Sequence, residues 1–260
     1  MSLTDFRVLV TRPAHQAEAL CEQIEALGGI AIRLPVLEII PLADRSPLSS
    51  CRQQLPQLDM LIFVSANAVE YGLPELLDEQ KKLPVHLTTI AIGKKTAEAL
   101  QAWGVSALCA PAPYNTEALL IMPLMQQVEA RKIIIVRGEG GRETLAEQLR
   151  LRGAQVDYLN VYRRECPRLL TLPTSPPDIM IVTSSEGLQN LLILLAEQSW
   201  VKSTPLLVMS ERTRNEAINL GFSAPILVTK IASDEGLLNM LVYWKTKGRF
   251  TQGKSPTEAR

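Results

Sequence analysis

Histidine and cysteine are scarce in this 260-residue chain, and that scarcity removes several chemistries at once. Two histidines, His15 and His86, and four scattered cysteines, Cys21, Cys51, Cys109 and Cys166, without CxxC spacing, supply neither a metal cage nor a disulfide framework. Free structural thiols in a reducing compartment are expected instead. There is no GxSxG, and histidines in such settings do not build a hydrolase triad. Gly138-Glu139-Gly140-Gly141 misses the GxGxxG spacing, because Glu143 stands three residues after Gly140, and no GxxxxGK[ST] occurs, so a nucleotide enzyme is disfavoured. An excess of one charge is missing too: 27 basic residues balance 27 acidic ones, which argues against a general attraction to nucleic acid or to an anionic membrane surface. No apolar run reaches the ~20 residues of a membrane span, and no basic stretch with an apolar h-region opens the chain. A cytoplasmic protein is expected, and any anionic ligand must be held by local geometry.

What the chain does have is hydrophobic content, 47%, enough for two cores, and an ordered internal duplication. Val8-Leu9-Val10-Thr11-Arg12, then Glu22-Gln23-Ile24 and Gly28, return as Ile133-Ile134-Ile135-Val136-Arg137, Glu147-Gln148-Leu149 and Gly153. Asp59 to Ser65 returns as Asp178 to Ser184, Ile90 to Thr96 as Leu207 to Thr213, and Thr116 to Leu119 as Asp234 to Leu237. The order is A-B-C-D-A′-B′-C′-D′, so two similar halves with a ligand site between them are expected. Each block opens with a short run of continuous apolar character, the mark of a strand buried on both faces: Arg7 to Val10, Met60 to Val64, Thr89 to Ile92, Val105 to Cys109, Ile133 to Val136, Ile179 to Val182, Leu206 to Met209 and Ile226 to Val228. Helical spacing follows, as in Ala17, Leu20, Ile24 and Leu27 before Gly28. Alternation at this pitch predicts βαβ crossovers, hence α/β architecture with about five parallel strands per domain and a flavodoxin-like order 2-1-3-4-5.

Two segments, Ala31 to Leu42 and Gln155 to Glu165, exceed an ordinary strand of ~5–6 residues and run on into proline-containing stretches. They read as strands passing from one domain to the other, which would pack block A with B′-C′-D′ and A′ with B-C-D. Two contiguous domains split near residue 125 remain the simpler alternative. The polar stretch from Thr246 to Arg260 is expected to be disordered.

In open parallel sheets, ligands bind beyond the carboxyl ends of the strands, so the informative residues lie in the strand-to-helix turns. Thr11-Arg12, Ser65 with Asn67, Gly93 with Thr96, Arg137-Gly138, Ser184-Ser185 and Ser210 with Thr213 occupy those turns. They are small, hydroxylic or cationic, and each helix start they flank carries roughly half a positive charge. Ser65, Thr96, Ser184 and Thr213 also suit simple helix capping, and Arg12 and Arg137 suit turn-ordering ion pairs as well as carboxylate recognition. Tyr162 falls in one of the two crossing segments, where a cross-strand aromatic is its simplest role.

Val8-Leu9-Val10-Thr11-Arg12-Pro13, Ile62-Phe63-Val64-Ser65-Ala66-Asn67, Ala91-Ile92-Gly93-Lys94-Lys95-Thr96, Arg137-Gly138, Val161-Tyr162 and Thr183-Ser184-Ser185-Glu186-Gly187-Leu188, in this order, resemble the uroporphyrinogen-III synthase family over residues 7 to 243. Met209-Ser210 departs from the family's Ile-Gly at that turn. The resemblance implies two flavodoxin-like doubly wound parallel-sheet domains joined by a two-stranded linker, with residues 1–36 plus 170–245 in the first and 40–165 in the second. It implies cofactor-free, metal-free closure of hydroxymethylbilane, a linear tetrapyrrole with eight carboxylates, to uroporphyrinogen III with loss of water and inversion of ring D. Helix N-termini around a cleft would bind the carboxylates through the turn residues named above. Tyr162 matches the family's candidate acid, in an auxiliary role, since a phenol is a weak acid. A small-molecule substrate is implied; with no unusual exposed apolar pattern a monomer is the default expectation, in the cytoplasm and without a nucleic-acid or membrane partner. The alternatives are a two-lobed binding protein for a small anionic metabolite and a two-domain glycosyltransferase.

Overall fold

The computed structural model describes residues 2–77, 82–168 and 171–247. These divide into two compact units, one within Met1–Glu38 and Glu165–Arg260, the other Ile39–Arg164. The chain opens with β1 (Arg7–Val10), α1 (Ala14–Ala26) and β2 (Ile30–Arg33). It continues through β3 (Glu38–Pro41), α2 (Ser46–Gln54), β4 (Met60–Phe63), α3 (Ala66–Leu76), β5 (Thr88–Ala91), α4 (Lys94–Ala102), β6 (Leu108–Cys109), α5 (Thr116–Leu120), α6 (Pro123–Gln126), β7 (Lys132–Gly138), α7 (Thr144–Leu151) and β8 (Gln155–Glu165). The last stretch holds β9 (Ile179–Val182), α8 (Ser185–Leu194), β10 (Leu206–Val208), α9 (Glu211–Asn219), β11 (Ile226–Val228) and α10 (Asp234–Lys247).

Parallel sheet follows from strands that are apolar at every position, because both faces must be covered. Along β9, Ile179 and Ile181 enter the core shared with α1 and α10, while Met180 and Val182 enter the core shared with α8 and α9. Along β4, Leu61 and Phe63 pack with α2, α3 and α4, whereas Met60 and Ile62 pack with α5, α6 and α7. One sheet has the order β11-β10-β9-β1-β2 and the other β3-β8-β7-β4-β5-β6. Strand β1 therefore lies between β2 and β9, and β7 between β8 and β4, with all four pairings parallel.

Three expectations are corrected. The stretch from Ala31 to Leu42 is two strands, β2 and β3, because Pro35 has no amide to donate between them. Strand β6 is two residues rather than five: the Val105 amide donates to Leu100 O at the end of α4 and is lost to the ladder. Helix α10 runs on through Thr246 and Lys247, with Thr246 Oγ1 donating to Val242 O, so no disorder begins at Thr246; the rest of that expectation, residues 248–260, lies outside the described residues.

Each sheet is started by an aspartate clasp. Asp59, just before β4, accepts the Lys132 amide at 2.8 Å and donates its own amide to Lys132 O at 2.9 Å, which locks β4 to the first residue of β7. Asp178, just before β9, makes the same two contacts, 2.8 and 2.9 Å, with Arg7 at the start of β1. The Lys132 amide first, and then the Arg131 guanidinium, hold the Asp59 carboxyl below the usual range. That stabilisation is complete above the unfolded carboxylate pKa of about 4 and disappears as acid protonates the folded carboxyl. Asp59→Ala should therefore cost about 1 kcal/mol at neutral pH. Denaturant midpoints measured from pH 7 downward should converge with those of the unaltered protein below about pH 4. A constant gap across that range would show that the carboxylate charge is not the source.

Candidate active site

The second unit has a pocket of about 230 Å³ at the carboxyl ends of β4, β5 and β7, which is where a parallel sheet leaves its helix N-termini free. Ser65, Arg137, Gly138 and Tyr162 line it together with Thr116, Arg142, Tyr158 and Arg164. A bulge puts Tyr162 there. Arg137 pairs with Asn160 but Gly138 pairs with Tyr162, so β8 carries one extra residue, Val161. The strand's alternation slips by one and the consecutive residues Val161 and Tyr162 are both buried in the core under α3.

Close packing fixes the Tyr162 ring. A Cβ on Gly138 would stand 2.5 Å from Tyr162 Cε2 and 2.6 Å from Cζ, so only glycine leaves room for the ring. Tyr71 lies on another side, its ring centroid 6.1 Å away at a 42° tilt, and its own hydroxyl donates to Ile39 O at 3.0 Å. The Tyr162 hydroxyl is 3.2 Å from Ser65 Oγ, which already accepts the Ala68 amide at 3.0 Å as the N-cap of α3. A capping serine spends a lone pair and keeps its proton, so Ser65 is suited to donate to the Tyr162 oxygen and leave the phenol proton for another acceptor.

Arg137 is buried, its side chain 7% exposed. Its Nε donates to Gly138 O at 3.2 Å, Nη1 reaches Arg142 O at 3.4 Å and Glu143 Oε1 at 3.1 Å, and the guanidinium lies over the Tyr158 ring at 4.4 Å. The loop folds over it because Gly141 adopts φ +100° with its Cα facing Arg137 Nη2, a conformation L side chains rarely take. The Tyr158 hydroxyl is buried and makes no hydrogen bond of good geometry. It is nonetheless close enough to Glu143 to be the main cause that holds that carboxyl below its usual range, with Arg137 adding to it. Burial first, and Glu143 next, push the Tyr158 hydroxyl up.

The remaining expected residues sit at strand ends but not in this pocket's lining. In the same unit, Asn67 opens α3, Gly93 is the extended N-cap of α4, and Thr96 is buried in its first turn. In the first unit, Thr11 Oγ1 donates to Ile181 O at 2.7 Å, so its hydroxyl ties β1 to β9, and Arg12 is ion-paired with Asp234. Ser184 caps α8 by accepting the Gly187 amide at 3.0 Å, and Ser185 Oγ is met by Arg212 at 3.5 Å. Ser210 caps α9 by accepting the Thr213 amide at 3.3 Å, and Thr213 is buried below it. No group of three or more His, Cys, Asp or Glu among the described residues is placed to hold a metal ion.

The family model for uroporphyrinogen-III synthase HemD matches residues 18–239. A uroporphyrinogen-III synthase from Salmonella typhimurium is 32% identical over 90% of this chain and 99% of its own length, and one from Escherichia coli is 30% identical over the same shares. The chain belongs to the uroporphyrinogen-III synthase family. A solved uroporphyrinogen III synthase from Thermus thermophilus has a similar fold, with a TM-score of 0.58 and 16% identity over 93% of this chain and all of that one. One from Helicobacter pylori gives 0.57 and 17% over 92% and 99%.

For this synthase-family chain, sequence reasoning missed Tyr71, Tyr158 and Glu143. Tyr158 alternates with buried apolar residues along β8 and carries no signal beyond strand packing, and Glu143 looks like any acid near a helix start. Gly138, expected to bind substrate, has a clear packing role in admitting Tyr162. Gly138→Ala should destabilise the fold by roughly 1–3 kcal/mol through overpacking. Pairing it with Tyr162→Leu should return most of that loss in denaturant unfolding. Additive losses in the double variant would show that the ring is not what Gly138 accommodates.

Proposed function

We propose that this chain closes hydroxymethylbilane to uroporphyrinogen III, expelling the terminal hydroxyl as water and inverting ring D, without metal or cofactor. Family membership across residues 18–239 is the observation that carries the reading. The chemistry of the pocket supports it. Loss of hydroxide needs a proton, and the Tyr162 phenol, fixed by Gly138 and Ser65, is the acid in this reading. The cation left behind needs a shielded cavity and correct geometry more than a strong acid, so positioning supplies much of the rate. At about 230 Å³ the pocket is smaller than the ~300–1,000 Å³ that hold whole drug-sized ligands, which suits one reacting end of the tetrapyrrole.

The substrate's carboxylates are assigned to the strand-end turns: Thr11, Arg12, Ser65, Asn67, Gly93, Thr96, Arg137, Gly138, Ser184, Ser185, Ser210 and Thr213. Free helix-start amides beside Ser65, Gly93, Ser184 and Ser210 support this in a chain of zero formal charge. The finer reading of the fold belongs here too: two flavodoxin-like domains, residues 1–36 plus 170–245 and 40–165, joined by a two-stranded linker. The strand orders of the two sheets support it. The same reading includes a cytoplasmic monomer, and the balanced charge favours the absence of a nucleic-acid or membrane partner.

Incubation with enzymatically generated hydroxymethylbilane, followed by separation of the isomers, should give the type III product. The type I isomer alone, which forms spontaneously, would mean that the chain binds without catalysing. Tyr162→Phe should keep the fold and lower turnover about tenfold or more. An unchanged rate removes Tyr162 from the mechanism.

A further inference from the structure

Arg137 and Glu143 form an unequal pair. The arginine side chain is 7% exposed and held by two backbone carbonyls and the face of Tyr158, so it cannot leave. The glutamate is 52% exposed and lies on a loop containing two left-handed glycines, Gly140 and Gly141, so it can swing into water at little cost. The pocket beside them is lined by Arg137, Arg142 and Arg164 and by no carboxylate among the described residues. The Tyr158 hydroxyl is buried beside the same glutamate, near enough to lower its carboxyl yet without a well-formed hydrogen bond, whereas buried polar atoms are ordinarily satisfied. A carboxylate entering from the pocket would meet both, with one oxygen on the Arg137 guanidinium and the other on the Tyr158 hydroxyl.

We propose that Glu143 is a displaceable stand-in for a ligand carboxylate at Arg137, and that Arg137, Tyr158 and Glu143 together form a carboxylate-exchange subsite. The nature of the ligand rests on the function proposed above. Glu143 sets specificity, because a neutral ligand group gains nothing by displacing a charged partner, while a carboxylate of similar reach replaces it without leaving Arg137 unpaired. Tyr158 contributes a donor that no apolar group could use.

The test uses the full chain and uroporphyrin III, a stable octacarboxylate, as the binding probe, beside KM for hydroxymethylbilane. Glu143→Gln should lower both Kd and KM roughly two- to fivefold, the range that an ion pair with one half-exposed member holds back. Glu98→Gln, an exposed acid on α4, removes the same charge elsewhere and should leave both constants unchanged. In an Arg137→Met background the effect of Glu143→Gln should vanish, and Tyr158→Phe should weaken probe binding. Unchanged or weaker binding by Glu143→Gln, or equal tightening without Arg137, overturns the proposal. Product identity is read separately in the unaltered chain: the type I isomer alone would refute the synthase reading, and the probe affinities would still decide whether Glu143 competes for Arg137.

Discussion

The Tyr162 ring fills the space that a side chain on Gly138 would take, and the candidate site is organised around that single contact. The bulge at Val161 turns the tyrosine toward α3, Ser65 meets its hydroxyl, and Tyr71 closes its flank. Each is a residue of a rigid strand, of helix α3 or of its N-cap rather than of a long loop, and such supports hold reacting groups most accurately. The buried strands β4 and β7 beneath them cannot shift without disturbing two cores at once.

Parallel pairing gives the site its electrostatics. When all strands of a doubly wound sheet run the same way, the helices that follow them start on the same edge and present free amides there. In the second unit that edge carries the starts of α3 and α4, capped by Ser65 and Gly93, and Arg137 at the end of β7. A polyanion can thus be held without a net positive protein. Such selectivity depends on amides fixed by the fold, which salt screens far less than an exposed lysine patch.

Strand positions and the parallel character of the sheets were readable because burial on both faces forces continuous apolar runs, and eight such runs stand out. The limits of strands were less readable. Pro35 divides one expected strand, and the end of α4 takes Val105 from another, both through individual amides that periodicity does not register. At the site, Ser65 and Tyr162 were found from motif order, yet their contact spans 97 residues and depends on a one-residue bulge. Tyr158 and Glu143 were invisible for a related reason. Their significance lies in a buried hydroxyl without a well-formed hydrogen bond and in an unequal ion pair, both properties of three-dimensional placement alone.

The duplication explains where the two units must differ. Arg12 and Arg137 are equivalent in the repeat, as are Ser65 and Ser184, and both serines cap helices in the same manner. The repeat position of Tyr162, however, is held by Leu37, and that of Gly138 by Pro13. Among the described residues no phenol meets the first unit's capping serine, and its arginine is paired with Asp234 at the start of α10. Duplication thus supplied two copies of an anion-oriented sheet edge, a property of backbone direction that survives substitution. The packing pair of glycine and tyrosine exists in one copy only, because each residue depends on the other: tyrosine without glycine clashes, and glycine without tyrosine leaves a gap. The residues of the proposed acid step therefore belong to the second unit, and the first retains what the shared frame provides by itself, helix-start amides and caps.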